Sequence, residues 1–479
     1  MNKSMNQERI LSASFDKILN YIRENDDEQN VVNYHTPASL QQILMPKVDE
    51  EPTGEDEFLK MMDHYLEFAV KTGNKQFLNQ LYSGFNLPAF IGDMLTTLTN
   101  TSMYTYEVAP AATIIEKEMI ALMNSYAGYS DGDGIFLTGG SNGNLVAMFT
   151  ARNRMLPESR FHGYDRTENL VAFINEQAHY SFETAANILG IGAKNVIKVK
   201  ADHNGRMIPH ELEKAIENAK NNRQTPFFVA ATCATTLLGA YDPIDEIAEI
   251  TQKHGLWLHA DGAFGGSIIL SDQHRYLMKG IEKTDSFVWN PHKLMNIPLV
   301  CSALLVKQKG VLQHNITDLN TDYIFHDMEE VEDLGKKSIQ CGRHVDAVKL
   351  WFAWKYFGKK GYSQRIDNLI EMATYAENIV NQHPRLELMA SRQSFSVCFR
   401  YQPENVVDLN EFNLAVRENI RKTGQSIVNY GYIGKDLTIR LVMANGELRK
   451  KDIDKFFQNF LGAAENLELQ KVEEYEYEK

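Results

Sequence analysis

Between residues 110 and 307 the sequence alternates short apolar segments with longer amphipathic ones, and this alternation constrains the fold more than any other feature. Seven apolar segments have the length and composition of buried β-strands: 135–138, 170–176, 195–201, 227–235, 257–263, 286–290 and 301–307. Most of the segments between them have the apolar periodicity of helices. Strands that are apolar along their whole length are typical of a parallel sheet covered by helices on both faces. The sequence therefore predicts an α/β domain with a mainly parallel, seven-stranded sheet.

Two further regions flank this α/β segment. Helices are predicted at 8–23, 55–72, 344–359, 362–383, 410–425 and 450–467, with strand-like LELMA, SFSVCFRY and DLTIRLVMA in the C-terminal region. A chain of 479 residues exceeds the size that one hydrophobic core normally supports. We therefore expect three parts: an N-terminal helical segment (1–92), the large α/β domain (93–345) and a small C-terminal α+β domain (346–479).

Composition and charge disfavour several classes of protein. The net charge of −14 is not offset by any basic tract, so nucleic acid is not an expected partner. No apolar run approaches the 18 or so residues of a membrane span, and the N-terminus has no apolar signal core. The four cysteines are far apart and form no CxxC pair, which favours reduced thiols in a cytoplasmic protein without a metal site.

A lysine follows one of the predicted strands. The segment VWNPHKLM (288–295) is an apolar strand that ends in a turn bearing Asn290, His292 and Lys293. A lysine just past a buried strand can be partly desolvated, which makes its amine nucleophilic toward an aldehyde. An isolated lysine in such a place is more often an ordinary surface residue, so the neighbouring motifs decide its meaning.

Two more motifs end predicted strands with groups that suit a phosphorylated heterocycle. Asp261 in LHADGAF ends an apolar strand, where a carboxylate can pair with a cationic ring nitrogen. FLTGGSNGN (136–144) is a strand, a glycine-rich turn and a helix start, in which Gly139, Gly140, Ser141 and Asn142 favour phosphate binding. It has neither the GK[ST] ending nor the GxGxxG spacing of nucleotide-binding loops. Taken singly, the aspartate is more often a turn cap, and a plain glycine-rich turn is an equal alternative.

His179 in NEQAHYS and Thr235 in ATCATT also follow predicted strands. An imidazole can stack on an aromatic ring, and a hydroxyl can bind a phenolic oxygen or a substrate carboxylate. Either residue alone is more often structural. All five features, however, fall at the same ends of successive predicted strands, where open α/β sheets bind their ligands.

These residues resemble those of the group II pyridoxal-phosphate decarboxylases, which include glutamate, cysteine sulfinate and aromatic amino-acid decarboxylases. NPHK (290–293) is similar to the family's cofactor-lysine motif, and HADGAFGG to its HVDAAWGG segment. The similarity covers roughly residues 75–465, through FLNQLYSG, NTSMYTYEVAP, EQAHYS, GAYDPI, CSALLVK, QCGRHVD and RLVMAN. It implies a fold-type-I enzyme, like aspartate aminotransferase, that forms a homodimer with shared active sites and packs residues 1–92 on the partner subunit.

The resemblance also implies roles for individual residues in an α-decarboxylation that releases carbon dioxide and an amine. Lys293 would hold pyridoxal 5′-phosphate (PLP) covalently, Asp261 would pair with its pyridine nitrogen, and His179 would stack on its ring. The other residues expected at the cofactor are Gly140, Ser141, Asn142, Thr235, Asn290 and His292. Arg440 in TIRLVMAN is similar to the family's carboxylate-binding arginine. Without the resemblance, an ordinary ion pair in a strand is an equal reading of Arg440.

FLNQLYSG and NTSMYTYE match the family members that act on acidic substrates better than those that act on aromatic ones. The residues expected to meet the substrate side chain are Gln80, Ser83, Asn86, Ser102 and Tyr104. Ser102 and Tyr104 look closer to the cysteine sulfinate and aspartate type than to animal glutamate decarboxylases. Tyr82 departs from the Phe or Ser of those relatives, which leaves the shape of the pocket open. A basic substrate such as 2,4-diaminobutyrate is an alternative, because the pocket residues named here are neutral.

The loop that carries a proton-donating tyrosine in animal relatives is shorter here (325–337) and has no tyrosine. His326, or else Tyr323, would then return a proton to the substrate carbon. If neither does, oxygen could divert the reaction toward an aldehyde. Two rivals remain from sequence alone: an aminotransferase, which needs the same lysine and aspartate, and a homodimeric scaffold that has lost turnover.

Overall fold

The computed structural model describes residues 3–24, 30–45, 47–48, 50–163, 168–316, 325, 333–404 and 408–477. The helices are α1 (Lys3–Glu24), α2 (Pro37–Leu44), α3 (Glu55–Phe68), α4 (Leu87–Thr99), α5 (Pro110–Ala127), α6 (Gly140–Met155), α7 (Ser159–His162), α8 (Ser181–Ile188), α9 (Pro209–Asn221), α10 (Ile244–His254), α11 (Val311–Ile316), α12 (Asp346–Gln382), α13 (Leu409–Lys422) and α14 (Lys450–Tyr477). The strands are β1 (Phe77–Leu78), β2 (Asp133–Leu137), β3 (Leu170–Asn175), β4 (Val196–Val199), β5 (Thr225–Thr232), β6 (Trp257–Gly262), β7 (Ser286–Trp289), β8 (Ser302–Val306), β9 (Leu386–Leu388), β10 (Ser396–Tyr401), β11 (Ile427–Ile433) and β12 (Asp436–Val442).

The chain divides into two compact units. The larger comprises Phe85–Ala373 and Ala390–Ser396, and the smaller comprises Met1–Gly84, Thr374–Met389 and Val397–Lys479. The predicted three-part division at residues 92 and 345 stays a prediction.

The larger unit contains a seven-stranded sheet in the order β2-β8-β7-β6-β5-β3-β4. Strands β7, β6, β5, β3 and β4 are parallel to one another. Strand β8 runs antiparallel to both of its neighbours, β2 and β7. Every residue of β2, β3, β6, β7 and β8 is buried, which is why these strands are mostly apolar. The predicted α/β class and the mainly parallel, seven-stranded sheet are confirmed.

Helices α6 and α8 contribute to an apolar core on this sheet, which includes Val146, Ala147, Phe182, Ile174 and Phe228. The backbone of α6 approaches β7 closely at Gly143. A Cβ atom there would lie 2.4 Å from Cγ2 of Val288, so only glycine fits. This close contact fixes the N-terminus of α6 beside the ends of the central strands.

Strand β5 ends at Thr232, earlier than the predicted 235, because the chain turns at once. Cys233 forms a bridge with Tyr241, and Ala234 has a φ of +70°, a left-handed conformation that is unfavourable for residues with a side chain. The turn changes which threonine lies at the strand end.

The smaller unit has a five-stranded sheet in the order β1-β11-β12-β10-β9, with α13 and α14 as its C-terminal helices. This confirms the predicted α+β character. Strands β1 and β11 were not predicted. The helices predicted at 344–359 and 362–383 are α12, which is interrupted at Gly358, where φ is +63°. No helix in the described part of the chain is both long and apolar enough to cross a membrane.

Candidate active site

A cavity of about 190 Å³ lies in the larger unit, where β5, β6 and β7 end and α6 begins. The predicted site residues that line it are Gly140, Ser141, His179, Asp261, Asn290, His292 and Lys293. Asn144, Thr232, Ala234, Thr236, Ala263 and Phe264 also line it. The structure therefore brings together the lysine, the aspartate and the glycine-rich turn, which are widely separated along the chain.

Asp261 is the buried acid of this cavity, with 5% of its surface exposed. Its Oδ2 accepts a hydrogen bond from Nδ2 of Asn144 at 3.0 Å, and its Oδ1 accepts one from the backbone N–H of Ala263 at 3.1 Å. Both oxygens act as acceptors, which suits a carboxylate. A buried carboxylate beside a cavity is placed to pair with a cationic group of a ligand.

Lys293 lies in the turn that follows β7, and its backbone N–H donates to the carbonyl of Asn290 at 3.0 Å. The turn is fixed by its neighbours: Oδ1 of Asn290 accepts from Oγ of Ser302 at 2.5 Å, and Nδ1 of His292 donates to the carbonyl of Cys301 at 2.6 Å. Burial lowers the pKa of His292 to about 4, so its imidazole is neutral near pH 7. The lysine is thus carried by a rigid, buried turn.

Helix α6 presents an open N-terminus to the cavity. Its N-cap residue, Gly139, has a φ of +115° and makes no side-chain capping bond, so the first backbone N–H groups of the helix can bind an anion. Gly140 has no room for a side chain, because a Cβ atom there would lie 2.9 Å from both Cβ of Ala263 and Nδ2 of Asn290.

We expect Gly140→Ala to weaken PLP binding by roughly 10-fold, because the added methyl group must displace Ala263 or Asn290 at the cavity wall. The measurement is the dissociation constant for PLP of the apoprotein. Gly462→Ala is the matched control, since a Cβ at Gly462 has no atom within 4 Å and its backbone needs no positive φ. Equal affinities in both variants would show that the cavity tolerates the methyl group.

His179 is half-buried, and its Nδ1 accepts the backbone N–H of Ser181 at 3.3 Å. Burial lowers its pKa, Asp261 opposes this shift, and Lys293 reinforces it. Both charged groups are therefore close enough to act on the ring. In the neutral ring the proton lies on Nε2, because Nδ1 is an acceptor.

Thr235 does not line the cavity. Its Oγ1 accepts the N–H of Ala240 at 3.1 Å and so stabilises the turn after β5. The hydroxyl at the strand end is that of Thr232, and among the described residues it is one of the buried groups that lack a hydrogen-bond partner, as is Oδ1 of Asn142. An unpartnered buried hydroxyl in a cavity wall is suited to a ligand.

None of the residues predicted to bind substrate lines this cavity. In the larger unit, Nδ2 of Asn86 donates to the carbonyl of Met295 at 3.3 Å, and Oγ of Ser102 donates to the carbonyl of Cys341 at 3.3 Å. The ring of Tyr104 stacks on Phe325, with 5.1 Å between centroids.

The other three, Gln80, Ser83 and Arg440, belong to the smaller unit. Oγ of Ser83 donates to the carbonyls of Thr72 and Phe77 at 3.1 and 3.2 Å. Arg440 is buried, which lowers its pKa, and its Nη2 donates to the carbonyl of Asn79 at 2.9 Å. His326 and Tyr323 lie outside the described residues.

Sequence reasoning missed Asn144, His259 and Thr232. Asn144 lies one helical turn after Gly140, and His259 lies two residues before Asp261, on the same face of β6. Both periodicities were available from the sequence. Thr232 was missed because the end of β5 was predicted three residues too late.

The residues present fit PLP. A lysine amine suits the aldehyde, a buried carboxylate suits the pyridine nitrogen, and an uncapped helix N-terminus suits the phosphate. The unpartnered hydroxyl of Thr232 leaves room for one more polar group. Fold and cavity together define a PLP-dependent enzyme of the fold-type-I class.

Comparison with known proteins specifies the class further. The family model of the pyridoxal-dependent decarboxylase conserved domain matches residues 37–402. The chain is 36% identical to the acidic amino acid decarboxylase GADL1 of Mus musculus over 447 residues, which are 90% of this chain and 81% of the relative. It is 36% identical to cysteine sulfinic acid decarboxylase of Mus musculus over 440 residues, which are 89% of each chain.

The crystal structure of mouse CSAD superposes with a TM-score of 0.93 at 34% identity, covering 97% of this chain and 99% of the other. The chain belongs to the pyridoxal-dependent decarboxylase family. It is therefore a carboxy-lyase with PLP as its cofactor, and the predicted family, enzyme class and cofactor are confirmed.

Proposed function

We propose that the substrate is an acidic amino acid (aspartate, cysteine sulfinate or glutamate) and that the enzyme releases its α-carboxyl group as carbon dioxide. Two relatives at 36% identity, an acidic amino acid decarboxylase and a cysteine sulfinic acid decarboxylase, support this choice. The single observation that carries the site assignment is the buried Asp261 carboxylate, with a donor on each oxygen, in the same cavity as Lys293.

Each proposed role follows from a local environment. Lys293 holds the aldehyde carbon of PLP from its rigid turn, and Asp261 keeps a proton on the pyridine nitrogen. The start of α6, with Gly140 and Ser141, binds the phosphate, and His179 covers one face of the ring. When bound, PLP withdraws electrons from the bond to the departing carboxyl group.

The substrate roles rest on the sequence resemblance. Arg440 binds the α-carboxylate before it leaves, and its burial in the smaller unit strengthens such a charge pair. His326 returns a proton to the α-carbon of the product. Asn142, Asn290 and His292 complete the proposed cofactor site, in which Thr232 takes the place predicted for Thr235. Gln80, Ser83, Asn86, Ser102 and Tyr104 form the proposed substrate site.

A panel of aspartate, glutamate, cysteine sulfinate, 2,4-diaminobutyrate and tyrosine tests the substrate class. We expect one of the three acids to have a kcat/KM at least about 10-fold above those of diaminobutyrate and tyrosine, because a site built for a charged group discriminates strongly. Mass spectrometry of the products separates amine from aldehyde. Diaminobutyrate as the best substrate would overturn the proposal, and carbon dioxide release without keto-acid consumption separates decarboxylation from transamination.

The enzyme is further proposed to act as a homodimer. Helix α4 carries a stripe of apolar side chains, Leu87, Ile91, Leu95 and Leu98, which are between 41% and 81% exposed. An apolar stripe of this kind on a helix surface favours contact with another chain.

We expect Leu95→Asp combined with Leu98→Asp to convert a dimer into a 54.6-kDa monomer with little activity, since two charges in an apolar interface are costly to bury. Light scattering after gel filtration measures the mass. Leu469→Asp, on the similarly exposed Leu469 of α14, is the matched control and should stay dimeric. A double variant with an unchanged mass would remove α4 from the interface.

A cytoplasmic location is also proposed. Cys233, Cys301 and Cys398 are buried thiols and Cys341 is an exposed one, and none of these four described cysteines forms a disulfide. Free thiols are typical of proteins kept in a reducing compartment.

A further inference from the structure

Asp261 is the last member of a chain of buried, hydrogen-bonded side chains in the larger unit. Nδ2 of Asn144 lies 3.0 Å from Oδ2 of Asp261, and Oδ1 of Asn144 lies 3.0 Å from Nε2 of His259. Nδ1 of His259 lies 2.8 Å from Oγ of Ser286, which in turn lies 2.8 Å from Nε1 of Trp257. Asn144, His259 and Ser286 are each at most 1% exposed.

The residues at the two ends of this series of side chains limit the direction in which each hydrogen bond is donated. The indole N–H of Trp257 can only donate, and the carboxylate of Asp261 can only accept. From the Asp261 end, Nδ2 of Asn144 donates to the carboxylate, so Oδ1 of Asn144 accepts from Nε2 of His259. The neutral ring then accepts at Nδ1 the proton of Ser286, whose oxygen accepts from the indole.

Asn144 is held in one orientation by its own bonds. Its Nδ2 donates both to Asp261 and to Oγ of Ser181, at 2.9 Å, while its Oδ1 is used by His259. A flipped amide would direct its oxygen at the carboxylate of Asp261 and leave His259 without an acceptor. The observed orientation is thus the one that satisfies every partner.

His259 has the protonation state that this direction requires. Burial lowers its pKa to about 4, with Asp261 as the nearby charge that opposes the shift. The neutral ring stacks on Phe228 at 5.8 Å between centroids and packs edge-on against Phe182 at 6.1 Å. Only a neutral imidazole can accept at Nδ1 and donate at Nε2.

We infer that Asn144, His259 and Ser286 are positioning residues that act through Asp261 and set the affinity of the site for PLP. The chain fixes one carboxylate oxygen on Asn144, so that the other lone pairs of Asp261 keep their direction into the cavity. This inference rests on the proposed role of Asp261 at the pyridine nitrogen. His259 and Ser286 do not line the cavity, so their effect on the cofactor passes through Asn144 and Asp261.

Two pairs of variants of the full-length enzyme test the inference through the dissociation constant for PLP and the Tm of the apoprotein. His259→Leu removes the donor, whereas His259→Gln keeps an N–H near the position of Nε2. We expect the leucine variant to bind PLP at least about 10-fold more weakly, and the glutamine variant to stay within about 3-fold of the wild type.

The second pair separates positioning from packing. Ser286→Ala and Ser267→Ala each remove a buried hydroxyl that accepts an indole N–H at 2.8 Å, from Trp257 and Trp289 respectively. Both should lower the Tm of the apoprotein, but only Ser286→Ala should weaken PLP binding, by about 3-fold or more. Because these changes are small, this pair remains decisive if His259→Leu does not fold.

Asp261→Asn, measured in parallel, distinguishes the two levels of the argument. If Asp261→Asn weakens PLP binding while Ser286→Ala matches Ser267→Ala and the glutamine and leucine variants agree, the positioning chain is overturned and the proposed site stands. If Asp261→Asn itself leaves PLP affinity and turnover unchanged, the proposed role of Asp261 fails.

Discussion

Lys293→Ala is expected to lower kcat/KM by about 10³-fold or more, because no other group in the described cavity wall offers an amine to an aldehyde. Borohydride treatment followed by peptide mass spectrometry should find the reduced pyridoxyl adduct on Lys293 in the wild type and no adduct in the variant. The turn should still form, since its bonds involve the backbone of Lys293 and the side chains of Asn290 and His292.

Lys194→Ala is the control for this experiment. Lys194 is exposed and precedes β4, at the opposite end of the strands from the cavity. It should retain wild-type activity and a normal adduct. An adduct that persists in Lys293→Ala, or appears at another lysine in the wild type, would contradict the assignment.

Asp261→Asn is expected to lower kcat by about 10²- to 10³-fold while the covalent adduct on Lys293 still forms. The substitution keeps the shape of the side chain but removes the charge that holds a proton on the ring nitrogen, and breaking a buried charge pair costs about 3–5 kcal/mol. Steady-state kinetics with the best substrate of the panel, together with the borohydride assay, separate lost turnover from lost attachment.

Asp285→Asn is the matched control, because Asp285 directly precedes β7, at the end of the strands opposite to the cavity. Its Oδ2 also accepts a backbone N–H, that of Leu258, at 2.8 Å. We expect a changed Tm and a kcat close to that of the wild type. Similar losses of kcat in both variants would indicate a general effect of charge on the sheet rather than a role at the cofactor.

The sheet of the larger unit was predictable because burial on both faces makes most of its strands largely apolar. The direction of β8 was not, since an apolar segment looks the same in either direction. Strand β11 was missed because its sequence, IVNYGYI, is only partly buried and contains Asn429 and Gly431. A half-exposed strand with a glycine gives a weak periodic signal.

The candidate site was predictable where motifs lie at strand ends, as for Lys293 and Asp261. The partners of Asp261 were harder to find, because a buried histidine or asparagine in an apolar context is not distinguished from an ordinary core residue. To predict that Thr232 ends β5, one must know where the strand stops, and the left-handed backbone of Ala234 determines this position. Such a local conformation is not visible in the amino-acid composition.

The antiparallel course of β8 has a consequence for how the lysine acquires its surroundings. Because β7 and β8 pair directly, with Trp289 opposite Ala303, residues 290–301 form a local connection rather than a helical crossover. Closing so short a connection has a small entropic cost, whereas the parallel strand pairs must first bring distant segments together. The segment that carries Lys293 can therefore assemble early in folding, before the strands that bring Thr232 and Asp261 to it.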